Sequence, residues 1–148
     1  MKKLYFHIVI MLLFSGLSIP SAGQDMENLI QQCAVSAGDD ATYLKDFIVK
    51  LDAATPGERP PLFRQSLALR KNVMYRFSVC NLDNSEGEAI LRVYDQAKLI
   101  LSTYYPATGK EYRAINFDCK KSGIYTVVIS FKEGKAGEAI GILSYVGK

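Results

Sequence analysis

The chain of 148 residues is 49% hydrophobic and nearly balanced in charge, with 18 basic and 15 acidic residues. Two of the basic residues, Lys2 and Lys3, belong to an N-terminal leader, so 18 less 2 leaves 16 basic residues against 15 acidic ones. Nucleic-acid and anionic-membrane surfaces need a clustered excess of positive charge. The charge balance therefore argues against a nucleic-acid partner and against an anionic-membrane surface.

The N-terminus has the three-part pattern of a secretory signal peptide. A positive start precedes an apolar run at 4–14, and small and polar residues follow at 15–23. This run is shorter than the roughly 20 apolar residues that a membrane-spanning helix needs. We therefore expect cleavage after the signal peptide, 1–23, and no stable membrane insertion afterwards. The sequence predicts a secreted or periplasmic protein in which 24–148 form one domain.

The first part of that domain, 24–62, is predicted to be a short helix and a lead-in segment. Asp25 is suited to cap a helix over 25–35, and Gly38 is suited to end it. The next apolar stretch, 43–51, fits both helical spacing and strand alternation. Its Phe-Ile-Val segment favours a strand.

The second part, 63–148, alternates short strands with turns and forms the predicted sandwich body. The predicted strands are 63–69, 73–80, 89–94, 99–105, 112–119, 124–131 and 138–146. Seven to eight strands at a spacing of roughly ten residues indicate an antiparallel β-sandwich. No long helix separates the strands, which excludes a parallel α/β sheet. The predicted fold class is a mainly β, jelly-roll-like sandwich with a short N-terminal helix.

The strongest strand signal lies at 122–131, where eight β-forming residues follow a turn without a further Gly or Pro. Successive side chains of a strand point to opposite faces. One face therefore holds four apolar or aromatic residues, Tyr125, Val127, Ile129 and Phe131. This pattern predicts a central strand with these four side chains in the core.

Three cysteines, Cys33, Cys80 and Cys119, allow three single-disulfide pairings in an exported chain and leave one thiol over. Cys80 and Cys119 each end a predicted strand before a turn. Bridging two strand ends needs little backbone movement, which favours the Cys80–Cys119 pair and leaves Cys33 unpaired. Side-chain alternation puts the two on different faces, however, so Cys33–Cys80 and Cys33–Cys119 stay open.

Three sequence motifs resemble those of the bacterial pre-peptidase C-terminal domain. They are Tyr-Arg-Phe at 75–77, Leu-Arg-Val-Tyr-Asp at 91–95 and Ser-Gly-Ile-Tyr-Thr-Val at 122–127. The resemblance covers about 63–146 and implies a secreted, jelly-roll-like sandwich without catalytic activity. Domains of this family are often accessory to secreted enzymes, and some members bind calcium or polymeric substrates.

Catalysis is largely excluded by the residues that the mature chain lacks. The single histidine, His7, lies in the signal peptide, which removes Ser-His-Asp and Cys-His systems and histidine-ligated metals. Neither a Gly-x-Ser-x-Gly motif nor a phosphate-binding loop is present. The adjacent Asp39 and Asp40 are more simply explained as caps than as a glycosidase pair. We therefore predict a protein that is not an enzyme and has no cofactor.

One polar loop offers oxygen ligands of the kind that calcium prefers. The calcium candidates are Asp83, Glu86 and Glu88. Their spacing matches no specific calcium loop, and a solvated turn explains them equally well.

Aromatic and basic residues of several strands are predicted to share one surface. These candidate ligand-binding residues are Arg76, Arg92, Tyr94, Tyr104, Tyr105 and Tyr112. Exposed aromatic side chains on a sheet face can hold a sugar or a peptide. Cross-strand aromatic packing is the alternative explanation.

The sequence thus predicts an exported, non-catalytic β-sandwich that binds a protein or glycan partner at the cell surface or in the periplasm. An accessory or inhibitor-type module for a separate secreted hydrolase is the alternative. A third hypothesis is a small hydrolase that uses carboxylates alone.

Overall fold

The chain folds as two antiparallel sheets packed face to face, with one helix on the outside. The computed structural model describes residues 22–147. The described residues therefore include only the last two positions, 22 and 23, of the predicted signal peptide, 1–23. His7 lies outside them. The predicted mainly β, jelly-roll-like sandwich with a short N-terminal helix is confirmed.

One α-helix, ten strands and a 3-10 helix at Lys132–Gly134 are the regular elements of the described chain. The α-helix and the strands are α1 (Ala22–Ser36), β1 (Ala41–Leu51), β2 (Phe63–Leu69), β3 (Val73–Asn81), β4 (Ala89–Asp95), β5 (Lys98–Ser102), β6 (Tyr104–Tyr105), β7 (Lys110–Glu111), β8 (Ala114–Cys119), β9 (Gly123–Phe131) and β10 (Gly137–Val146). The predicted helix is confirmed, and so is the strand interpretation of 43–51.

The strand order is that of a jelly roll. Sheet A has the order β1-β10-β3-β8, and sheet B has the order β2-β9-β4-β5. The two-residue strands β6 and β7 form a separate small hairpin. When this hairpin is set aside, the other eight strands form two four-stranded sheets, as in a jelly roll.

The main core lies between the inner faces of the two sheets. Strand β9 pairs with β2 on one side and β4 on the other, so it is central to sheet B as predicted. Its four predicted core residues, Tyr125, Val127, Ile129 and Phe131, are all buried. From sheet A, Phe77 and Val49 pack into the same core.

Helix α1 covers part of the outer face of sheet A. Cys33 of the helix packs there with Ile140 and Ile142 of β10 in a second apolar cluster. A helix of this length is marginal by itself, so its stability depends on this packing. Between residues 22 and 147, no helix is long and apolar enough to cross a membrane.

A disulfide between Cys33 and Cys80 fixes α1 to β3, with the two Cα atoms 6.0 Å apart. The favoured Cys80–Cys119 pairing is therefore wrong. Cys80 is paired in the ladder with Ile140 on the outer face, whereas Cys119 is paired with Val73 and points into the main core. A sheet separates the two sulfur atoms. Cys33 is not the remaining thiol, because Cys119 is free and buried.

Candidate functional site

The segment between β5 and β8 forms a hairpin, β6–β7, where the chain passes from the edge of sheet B to the edge of sheet A. Its turn, 106–109, is exposed. Gly109 closes the turn in the left-handed conformation, with a φ of 66°, and its N–H donates to the Tyr105 carbonyl at 2.9 Å. At the base, the Tyr112 N–H donates to the Thr103 carbonyl at 2.8 Å. The hairpin tip is therefore ordered and accessible.

Two tyrosines of this segment pack against each other and stay partly exposed. The rings of Tyr105 and Tyr112 meet edge to face, with centroids 6.1 Å apart and an interplanar angle of 88°. Their exposed fractions are 39% and 43%. The Ser102 N–H donates to the Tyr105 hydroxyl at 3.4 Å. Because the pair is held before any partner arrives, a contact would immobilise little additional side-chain freedom.

A groove of about 550 Å³ runs between the hairpin and the end of α1. Its lining consists of Ala37, Arg76, Tyr105, Tyr112, Ala114, Ile115 and Asn116. Three of the six predicted ligand-binding residues are thus brought together in this groove, namely Arg76, Tyr105 and Tyr112.

Arg76 forms part of the wall of this groove, and its hydrogen-bond donors are mostly used within the protein. The guanidinium donates to both carboxylate oxygens of Asp40, at 2.6 and 3.0 Å. It also donates to the Ala37 carbonyl at 2.6 Å and to Asn116 Oδ1 at 2.7 Å. The hydrogen bonds from the Arg76 guanidinium to Asp40 hold the pKa of the Asp40 carboxyl below its usual value. Arg76 therefore ties the end of α1 to sheet A.

Replacing Asp40 by Asn is expected to lower stability at neutral pH but not in strong acid. Because the folded pKa lies below 3.8, the ion pair stabilises the fold above that pH. This contribution is lost as the pH falls through the lowered pKa. Urea midpoints of both proteins at pH 7 and in acid would measure the difference. The control is Asp39→Asn, which removes a neighbouring charge that forms no ion pair among the described residues. An equal loss of stability at both pH values in Asp40→Asn would contradict the expectation.

The base of the hairpin is fixed by Lys132, which follows β9. Its ammonium donates to the carboxylates of Glu111 and Glu88 and lies 4.4 Å from the centroid of the Tyr104 ring. The hydrogen bond to Glu111, followed by that to Glu88, raises the pKa of Lys132 above its ordinary value. Tyr104, a predicted ligand-binding residue, therefore packs against this anchor.

A second cavity, of about 670 Å³, lies on the other side of the hairpin and reaches α1. Three acidic and two basic side chains line it, namely Asp83, Glu88, Glu111, Arg113 and Lys132. Tyr112 borders both this cavity and the groove, so the hairpin forms a ridge between two depressions. The mixed charges do not select a ligand of one sign.

The remaining two predicted ligand-binding residues, Arg92 and Tyr94, lie elsewhere. Both belong to β4 and line a small cavity on the outer face of sheet B. Arg92 donates to Ser130 Oγ at 2.9 Å. The structure therefore divides the six residues among three places, because β4 and the hairpin belong to different faces of the sandwich.

The calcium candidates do not form a ligand set. Glu88 is engaged with Lys132, and the loop is held by a hydrogen bond from the Gly87 N–H to the Ala136 carbonyl at 2.8 Å. Within the part of the chain that the structure describes, no three His, Cys, Asp or Glu side chains gather where they could hold a metal ion. Asp83 and Glu86 are thus residues of a polar turn.

The predicted strands 99–105 and 112–119 bracket the turn at 106–109, but the charged residues around it were not predicted to belong to a site. Lys110 lies between Tyr105 and Tyr112 in the sequence and Arg113 follows Tyr112, and that spacing was the available signal. The contact of Lys132 with Glu111 could not be predicted from the sequence, because it spans 21 residues and exists only in the folded chain.

Comparison with known proteins identifies the fold alone. No family model matches the chain, and no curated protein matches it. Among solved structures, the chain is similar to the crystal structure of Aeromonas hydrophila PliG, a periplasmic lysozyme inhibitor of g-type lysozyme, with a TM-score of 0.51 and 10% sequence identity. The similarity covers 70% of this chain and 87% of that one.

Proposed function

We propose that this chain is an exported, non-catalytic β-sandwich that binds and inhibits a secreted hydrolase of the bacterial cell wall. The observation that carries the proposal is the β6–β7 ridge with its half-exposed pair, Tyr105 and Tyr112. The signal-peptide pattern supports export. The absence of histidine from 24–148 supports a role in binding rather than in catalysis.

The shape of the ridge suits a cleft in a protein partner. Tyrosine provides a large contact area, and its hydroxyl can still find a hydrogen-bond partner. Tyr112 stands between the groove and the cavity, and Tyr105 lines the groove beside it, which leaves room for the walls of a cleft on either side. Aromatic residues of this kind dominate the binding energy of many protein interfaces.

The charge of the ridge suits an acidic cleft. Lys110 and Arg113 are exposed, and neither forms an ion pair with a residue of 26–147. Enzymes that cleave glycosidic bonds usually carry a pair of carboxylates in the cleft. The fold similarity to an inhibitor of g-type lysozyme makes such an enzyme the first partner to test. The resemblance to pre-peptidase C-terminal domains, which often accompany secreted enzymes, remains a prediction that agrees with this role.

Truncating both tyrosines is expected to weaken inhibition. The assay follows lysis of peptidoglycan by a g-type lysozyme at increasing concentrations of the chain. Because two aromatic contacts would be lost, Tyr105→Ala with Tyr112→Ala should raise the apparent inhibition constant by about 30-fold or more. Tyr145→Ala is the matched control, since Tyr145 is 40% exposed and lines neither the groove nor the cavity.

Two results would contradict the proposal. If the unmodified chain leaves lysis by g-type and other lysozymes unchanged, the hydrolase is not the partner. If the double variant inhibits as well as the Tyr145→Ala control, the ridge is not the contact surface.

A further inference from the structure

We propose that the outer face of sheet B holds a second binding site, which takes a carboxylate-bearing sugar unit of an acidic polysaccharide. A row of residues crosses three strands there. Arg64 of β2 and Arg92 of β4 are both paired in register with Val128 of β9. Neighbouring strands lie about 4.8 Å apart, so the two arginine Cα atoms flank Val128 at a separation of about 10 Å.

Both arginines are available for an anion. Neither Arg64 nor Arg92 forms an ion pair with any residue that the structure describes with its side chain. Arg92 is steadied by its hydrogen bond to Ser130 Oγ, which uses one of its five N–H groups. A carboxylate between two such side chains would receive paired, charge-assisted hydrogen bonds.

The floor of the site is apolar and its rim is polar. Val128 is only 3% exposed although it lies on the outer face, and Arg64 and Arg92 are its register partners on either side. The cavity above it measures about 280 Å³ and is also lined by Tyr94, Thr126 and Gln96. An aromatic ring, a hydroxyl and an amide are the groups that bind the faces and hydroxyls of a sugar.

A sugar fits this face better than a peptide strand. Peptides that add to a sheet need a free strand edge, where backbone N–H and C=O groups are unpaired. Here β9 and β4 are paired on both sides and offer side chains alone, and the free edge of β2 faces away from β9 and from the cavity above it. The cavity is also small enough to hold about one sugar unit.

The test is a nuclear magnetic resonance titration of the full chain with a galacturonic acid trimer. We expect shifts at residues of β4 and β9, no shifts with a neutral maltose-type trimer, and affinity for the acidic trimer that falls about tenfold or more in Arg64→Gln. Arg59→Gln removes the same charge from an exposed loop, outside the site, and should leave the affinity unchanged.

The other outcomes overturn the proposal. If the acidic trimer does not bind, or if the shifts lie outside sheet B, this face does not hold a binding site. An equal loss in Arg59→Gln would show general charge attraction, and equally tight binding of a glutamate peptide of the same charge would show that a sugar is not the preferred ligand. None of these results bears on the β6–β7 ridge, which lysozyme inhibition tests separately.

Discussion

Replacing Cys33 and Cys80 together by alanine is expected to lower the free energy of unfolding by about 4 kcal/mol. The disulfide closes a loop with a sequence separation of 47, so it removes much of the freedom of the unfolded chain. It also holds α1 over Ile140 and Ile142. Without the bond, we expect α1 to detach at a lower urea concentration than the sandwich unfolds.

The free thiol provides the control for this prediction. Cys119→Ala should keep the full sensitivity of unfolding to a reducing agent, whereas the Cys33→Ala, Cys80→Ala protein should have none. In the unmodified chain, a thiol reagent should label one cysteine, Cys119, and only after denaturation, because its side chain is buried. Labelling of Cys33 or Cys80 without reduction would contradict the pairing.

Truncating Phe77 to alanine is expected to destabilise the sandwich by about 3–5 kcal/mol. Phe77 is completely buried on the inner face of β3. Its ring lies 6.4 Å from that of Phe117, which in turn packs against Tyr125 of the opposite sheet at 5.4 Å. The deletion would therefore leave a cavity between the two sheets, where neighbouring side chains cannot collapse freely.

Two variants show whether this loss comes from the core. Phe77→Leu keeps most of the volume and should cost about 1–2 kcal/mol. Tyr43→Ala removes an exposed aromatic ring from β1 and should change stability by no more than about 0.5 kcal/mol. Equal losses in Phe77→Ala and Tyr43→Ala, measured by urea denaturation, would contradict the assignment of the core.

Local periodicity is the reason that the main strands could be predicted. The alternation in β9 identified its buried face because a one-residue shift would have exposed Tyr125, Val127, Ile129 and Phe131 together. The burial of Val128 on the opposite face was not predicted. The register partners of Val128 are arginines of two other strands, Arg64 and Arg92, and this register does not follow from the alternation within any one strand.

Local periodicity also fails to predict the disulfide and the binding surfaces. Side-chain alternation already separated Cys80 from Cys119, but the partner of Cys80 depended on where α1 packs. Arg76 and Arg92 occupy similar positions in their strands. Arg76, however, forms an ion pair with Asp40, whereas Arg92 lines an open cavity. Such differences arise from contacts between distant segments, which residue type and spacing do not specify.

Amide hydrogen exchange of the chain with and without a g-type lysozyme tests the central claim most directly. If the β6–β7 ridge enters the cleft of the enzyme, exchange should slow at 103–113 in the complex, while β1 at the far edge of sheet A stays unchanged. A complex that forms without any protection at 103–113 would contradict the account, as would the absence of a complex.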